Sequence, residues 1–357
     1  MFKRFFAIIA GILIFCSIAE AQMRVVDENH NPIMAASILD ADGNMIGLTL
    51  SDGFISNVPA SAYPITIRCI GYEDLIINEP IDKNWEMTPT VYELKELVVV
   101  PVKRNVLRQT FYVREYFSMN NDCDTITYFI EHMAERFIPT SKDAKFGGNS
   151  SLRIINTRQY SHFQIGDKDS VAANPKKEFP SLLSIIELSN EEIVASATNS
   201  QKDSSKNGKR FVQKQNAQTF TTIEDVLAEC NDHKSSPWPL KLLGFTMEFN
   251  QFYTTQAYRA NSKGIYLPKD LLEASFVIEA DGKGKHLRKA LKSEKPIIIR
   301  SLIELYVVDN EYLTKEDAKD EYKNKLNHVK FVIPSTVPPL NQATLKLVNR
   351  VNTEAKK

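Results

Sequence analysis

His132-Met133-Ala134-Glu135 is the local spacing in this chain that best suits a metal, with His233 about a hundred residues on as a third donor. Two imidazoles and a carboxylate are the ligand set of a catalytic zinc, whose fourth position stays open for an activated water. An element has to present those side chains, and the residues around them predict a helix over residues 124–137. Asp122 or Asp124 would cap it, Ile126, Phe129, Ile130, Met133 and Phe137 fall at helical intervals, and Pro139 would stop it. On such a helix the apolar stripe is core, and His132 and Glu135 belong to a solvated face. The pair is therefore not expected to bind metal.

The other candidates are weaker. His30, His162, His286 and His328 are scattered among turns and strands, and the chain has no His-Glu-x-x-His and no Gly-x-Ser-x-Gly. Gly147-Gly148 with Ser150-Ser151 lacks the lysine of a phosphate loop, and Gly282-Lys283-Gly284-Lys285 lacks its spacing. Glu191-Glu192 reads as surface. Lys283, Lys285, Arg288, Lys289, Lys292 and Lys295 form a basic cluster that reads as solvated hairpin and helix. Catalytic, metal-binding and cofactor-binding residues are all expected to be none.

Composition narrows the class of partner. The chain has 44 Lys and Arg against 44 Asp and Glu, a balance that favours neither nucleic acid nor an anionic membrane surface. Its 357 residues are enough for two domains with sizeable cores. Residues 1–21 read as an export signal: Lys3 and Arg4, an apolar run over residues 5–18, and Ala19-Glu20-Ala21 as the cleavage site. The run is short for a transmembrane span, so no transmembrane helix is expected in the mature chain, which would start at Gln22. Phe15 is too large to precede a lipidated Cys16. In an oxidising compartment Cys69 reads as a buried small hydrophobe, while Cys123 and Cys230 could pair.

Residues 24–73 read as short strands punctuated by turns, the pattern of a small antiparallel sandwich. Val25-Val26 opens it, and residues 35–39, 47–50 and 65–70 supply further strands. Asp42-Gly43 and Asp52-Gly53 make tight turns, and Phe54 and Tyr72 would lid the thin core. The succession Val25-Val26-Asp27, Asn31-Pro32-Ile33, Gly47-Leu48-Thr49, Ser51-Asp52-Gly53-Phe54 and Ile70-Gly71-Tyr72-Glu73 resembles the carboxypeptidase regulatory-like domain. That family is a transthyretin-like β-sandwich of exported Gram-negative bacterial proteins. Met23-Arg24 stands where the family usually has Gly, and Ser51 where it usually has Thr. The resemblance covers about the first quarter of the chain and implies a structural module without catalytic residues. In the zinc carboxypeptidases themselves the β module follows an α/β catalytic domain; here it comes first and the α/β pattern is absent.

Residues 94–100, Leu-Lys-Glu-Leu-Val-Val-Val, resemble the segment that follows this module in TonB-dependent outer-membrane receptors. The remaining length cannot hold a plug and a barrel of many strands, so the segment is expected to complete the sandwich or lead onward. Beyond it, residues 152–155, 160–165, 182–188, 210–213, 246–253, 275–279, 297–308 and 329–333 predict strands. Residues 198–209 predict a mobile loop or long hairpin tip, and residues 280–284 a hairpin turn. Helices are expected over residues 314–324, capped by Thr314, and over about 340–351.

The fold class expected is mainly β. A seven-stranded-type antiparallel β-sandwich (residues 22–100) precedes a larger antiparallel β-rich α+β domain (residues 101–357). The function expected is a non-enzymatic, exported cell-envelope protein, periplasmic or outer-membrane-associated. Its second domain would bind an envelope protein, a lipid or a carbohydrate. The alternatives are an accessory protein of a TonB-dependent uptake system and, behind it, a hydrolase of unrecognised type.

Overall fold

A computed structural model describes residues 23–55, 58–92, 104–121, 124–147, 151–173, 181–195, 202–206, 209–215, 218–227, 240–242, 245–284, 291, 297–324 and 329–354. The expected export signal, residues 94–100, Cys123, Cys230 and His233 lie outside them.

Six short strands build the N-terminal module: β1 (Arg24–Val26), β2 (Ser37–Leu39), β3 (Met45–Leu48), β4 (Ile65–Arg68), β5 (Leu75–Ile77) and β6 (Asn84–Glu86). An antiparallel sheet of order β3-β2-β4-β5 shares one core with a parallel pair, β1-β6. Val25, Ile38, Ile65, Ile67 and Ile77 fill that core. Asp42-Gly43 and Asp52-Gly53 turn the chain as expected, with Gly43 at φ +77° and Gly53 at φ +80°. Tyr72 packs on the core. Phe54 sits apart from it, with the Arg24 guanidinium over its ring.

The rest is dominated by long strands: β7 (Val106–Asn120), β8 (Thr125–Pro139), β9 (Arg153–Ile165), β10 (Lys168–Ala173), β11 (Ile193–Val194), β12 (Lys202–Lys206), β13 (Lys209–Gln215), β14 (Thr219–Asp225), β15 (Leu240–Leu242), β16 (Phe245–Arg259), β17 (Ile265–Tyr266), β18 (Leu271–Lys283) and β19 (Ile297–Leu313). Eleven of the strands form one antiparallel sheet, ordered β10-β9-β8-β7-β19-β18-β16-β14-β13-β12 with β15 on β16. Two helices follow, α1 (Lys315–Lys323) and α2 (Gln342–Glu354). The Thr314 hydroxyl caps α1 by accepting from the Asp317 amide. The molecule is mainly β, as composition and turn spacing predict.

Several elements differ from the sequence reading. The helix expected over residues 124–137 is strand β8. Its centre is buried on both sides, so both parities are apolar: Ile126, Tyr128 and Ile130 on one face, Phe129, Met133 and Phe137 on the other. A strand buried twice over loses its alternation and can mimic helical spacing. Residues 182–188, expected as a strand, open with a 3-10 turn over Leu182–Ile185 whose apolar side chains enter a core. Asp281-Gly282 is not a turn: β18 runs through it, with Gly282 paired to Ile297 and Met247. Residues 329–333 form no strand. The stretches 152–155 and 160–165 are one strand, β9, and residues 202–206 and 209–215 form a hairpin.

The long sheet has two unlike faces. One is apolar: Phe111, Val113, Phe276, Ile303 and Leu305 pack there with Leu182, Leu183, Ile186 and Leu188. The other carries the N-terminal module, α1, residues 329–340 and α2. On that face Leu39, Met45 and Leu48 of the module meet Tyr116, Val277 and Leu302, with Leu340 and Leu347 at the margin.

Candidate functional site: a cleft between the module, the long sheet and the last helix

Strand geometry decides the His132 and Glu135 pair first. Side chains three apart on a strand point to opposite faces. His132 lies on the apolar face, where Nδ1 is 2.9 Å from Thr157 Oγ1 and Nε2 is 3.7 Å from Glu115 Oε2. Glu115 in turn accepts from the Ser181 hydroxyl at 2.5 Å and the Leu182 amide at 2.9 Å. It thereby holds the 3-10 turn rather than orienting the imidazole toward a nucleophile. Glu135 lies on the other face, ion-paired with Arg153. The two cannot ligate one metal, and among the described residues no group of three or more His, Cys, Asp or Glu is placed to hold one. His162 pairs with Asp169 and Lys283 with Glu248.

The module is fixed to the sheet by buried polar groups. Arg68 donates from Nε and Nη2 to Asp74, at 2.9 and 2.6 Å, and from Nη1 to the Tyr116 hydroxyl at 2.9 Å. Nη1 also lies 3.7 Å from Glu304 Oε2, an oxygen with no hydrogen bond to any described residue. Burial raises the Glu304 carboxyl. Close by, Glu273 Oε1 accepts from the Gly71 amide at 2.7 Å and from the Tyr92 hydroxyl. Burial lifts Glu273 to about 7, against the lowering effect of those two donors. The described cysteine, Cys69, is free and packs against the module's core half-buried rather than fully buried as expected; desolvation pushes its thiol up to about 12. These groups join elements and leave no room for a substrate: the cavity among them is about 10 Å³.

A larger space opens further along the same face. The β2–β3 turn, the β7, β8, β9 and β19 strands and α2 enclose a cleft of about 400 Å³. Gly43 brings the turn against α2: a Cβ there would stand 2.9 Å from Asn341 Nδ2. Asn341 is itself the cap of α2, accepting from the Thr344 amide at 2.8 Å. Tyr116 and Phe129, ring centroids 5.2 Å apart, form the floor with Leu347. Its polar lining includes Asp42, Asn44, Thr125, Thr127, His162 and Gln164, with Arg300, Lys346 and Arg350 as cations. Arg300 uses Nε on Glu279 at 2.7 Å. Arg350 uses Nη1 on Asp169 and Nε on Glu354, at 2.7 and 2.9 Å. Such an arrangement can hold a small hydrogen-bonding ligand.

Sequence reasoning missed this site because its walls come from separate stretches spread between residues 41 and 350. The Asp42-Gly43 turn and the α2 helix were both legible, and Lys346 and Arg350, four apart, were bound to share a helix face. Nothing in the sequence put that face over the turn.

No protein-family model matches the chain, and no curated protein matches it. Among solved structures, one described as lipid-protein interactions in lipovitellin is similar at 8% identity and a TM-score of 0.30, covering 59% of this chain and 26% of that one. The chain thus spans about a quarter of that structure's length, and a likeness of this depth carries no argument about a ligand.

Proposed function

We propose that the protein is a non-enzymatic, exported cell-envelope protein that binds a small polar ligand in the cleft between its N-terminal module and α2. The observation that carries this is the cleft itself: about 400 Å³, walled by the module, the long sheet and the last helix. Its volume falls at the lower end of the range for small-molecule sites, and it lies where separate units meet, a favoured place for them. The placement of His132 and Glu135 on opposite faces supports binding over hydrolysis. The basic, apolar and Ala-Glu-Ala succession of residues 1–21 supports export, and the motif succession from Val25 to Glu73 supports a regulatory-like module. Described residues include no helix long and apolar enough to cross a membrane.

Two experiments test the reading. Native mass spectrometry of the full chain incubated with envelope small-molecule extract is expected to show a retained small polar species. Ala343→Trp, which fills the cleft, is expected to lose it. Retention by Ala343→Trp would overturn the site. Fractionation with and without residues 1–21 tests export: the intact chain belongs in the envelope fraction, and retention inside the cell would contradict it.

A further inference from the structure

The cleft keeps cationic edges that its own carboxylates do not occupy. We infer that it takes an acidic sugar, a hydroxylated small molecule bearing a phosphate or carboxylate group. This rests on reading the cleft as the ligand site.

Arg300 is the central observation. Its side chain is only 18% exposed, yet it commits Nε alone to Glu279, and Nη1 and Nη2 make no hydrogen bond to any described residue. A guanidinium held by one nitrogen on a rigid strand presents its outer edge in a fixed orientation, the geometry that accepts a two-oxygen anion. Facing it across the cleft, Lys346 on α2 has no ion-pair partner among the described residues, and Arg350 keeps Nη2 outside its bonds to Asp169 and Glu354. Asp42 is the sole carboxylate lining the space.

The rest of the lining is suited to hydroxyls. Asn44, Thr125, Thr127 and Gln164 offer both donors and acceptors, and Thr127 Oγ1 bonds Asn44 Oδ1 weakly, at 3.3 Å. Asp42 can accept from a sugar hydroxyl. The Tyr116 and Phe129 rings below are buried, and Met45 and Leu347 add apolar lining beside the polar groups. A neutral sugar would leave the outer Arg300 nitrogens and Lys346 without an anionic acceptor, and a fatty acid would leave the amides and hydroxyls without partners. An acidic sugar meets both sets.

Calorimetric titration of the full chain tests this with glucose 6-phosphate, glucuronate, glucose, inorganic phosphate and phosphatidylglycerol vesicles as separate probes. The result expected is binding of glucose 6-phosphate or glucuronate at least ten-fold tighter than glucose, weakening as salt rises. Arg300→Gln should lower that affinity at least ten-fold. Lys346→Gln, on an exposed helix position that folding does not need, should lower it several-fold. Binding of inorganic phosphate or of vesicles alone, with the sugars inert, would overturn the sugar assignment and trace the anion to a free ion or a headgroup. Equal affinity for glucose, or affinity unchanged in both variants, would overturn the charge assignment. If Ala343→Trp abolishes that neutral binding, the cleft remains the ligand site although its charge preference is wrong; if sugar binding survives Ala343→Trp, both readings fall.

Discussion

The two faces of the long sheet use the same backbone for different ends. On one, Phe111, Phe276 and Ile303 pack against the Leu182–Ile185 turn, and a few buried polar groups intrude: Glu115 holds that turn and Arg136 donates to Gln109. On the other, Arg68, Glu273, Glu304, Arg300 and Glu279 form an ionisable layer under the module and α2. A mainly apolar face holds a fold with little discrimination among partners in orientation. Directional polar contacts fix one docking of the module, and where they thin out beside α2 they leave a space with cations on its walls. The proposed ligand site therefore lies on the layered side, and the apolar side is its support.

The largest expected effects compare the faces directly. Phe276→Ala should cost about 3–5 kcal/mol by opening a cavity in the apolar face. Arg68→Ala should cost about as much, 3–5 kcal/mol, by leaving the buried Glu304 carboxylate and the half-buried Asp74 without their cation. Urea unfolding measures both. What separates them is pH: the Arg68→Ala loss should shrink in mild acid, where Glu304, already raised by burial, takes up a proton, whereas the Phe276→Ala loss should not change.

Next comes Glu273. Its carboxyl is raised from 4.5 to about 7, so between those values the folded chain holds a proton that the unfolded chain has released. The stability this confers is complete below about pH 4.5, declines as pH rises to about 7 and is absent above. The linked change has an upper bound of about 3 kcal/mol. Glu273→Gln keeps an acceptor for Gly71 and Tyr92, and should flatten that part of the pH profile in thermal melts. An unchanged profile would remove Glu273 from the account of module docking.

Smaller effects follow. His132→Ala should lose about 2 kcal/mol through its Thr157 bond and its buried volume, with ligand binding in the cleft unchanged because His132 faces the other way. Asp169→Asn removes the exposed partner of Arg350 and His162. It should leave the melting temperature unmoved, since exposed pairs contribute little.

Much of the module was legible in the sequence because its turns depend on local chemistry. Asp-Gly pairs demand positive φ, and Gly43 and Gly53 adopt it. The same held for α1, where the Thr314 cap is a local signal. The long sheet was less legible for a physical reason. Strands such as β8 are buried on both faces, so the alternation that marks a strand is erased, and Ile126, Phe129, Ile130, Met133 and Phe137 imitate a helix. That single misreading also put His132 and Glu135 on a solvated face, whereas both are buried, on opposite faces of the sheet. The Asp281-Gly282 pair erred the other way: a strong turn signal was overridden by pairing on both sides, to β16 and β19. The cleft was not legible, because Asn44, Thr127, Arg300 and Lys346 are brought together only by long-range topology.

Hydrogen–deuterium exchange of the full chain, with and without saturating glucose 6-phosphate, tests the placement of function most directly. The account predicts slowed exchange in residues 41–45 and 343–350 on ligand addition, with residues 182–188 unchanged. Slowed exchange confined to residues 182–188, or no change in either wall of the cleft, would contradict it.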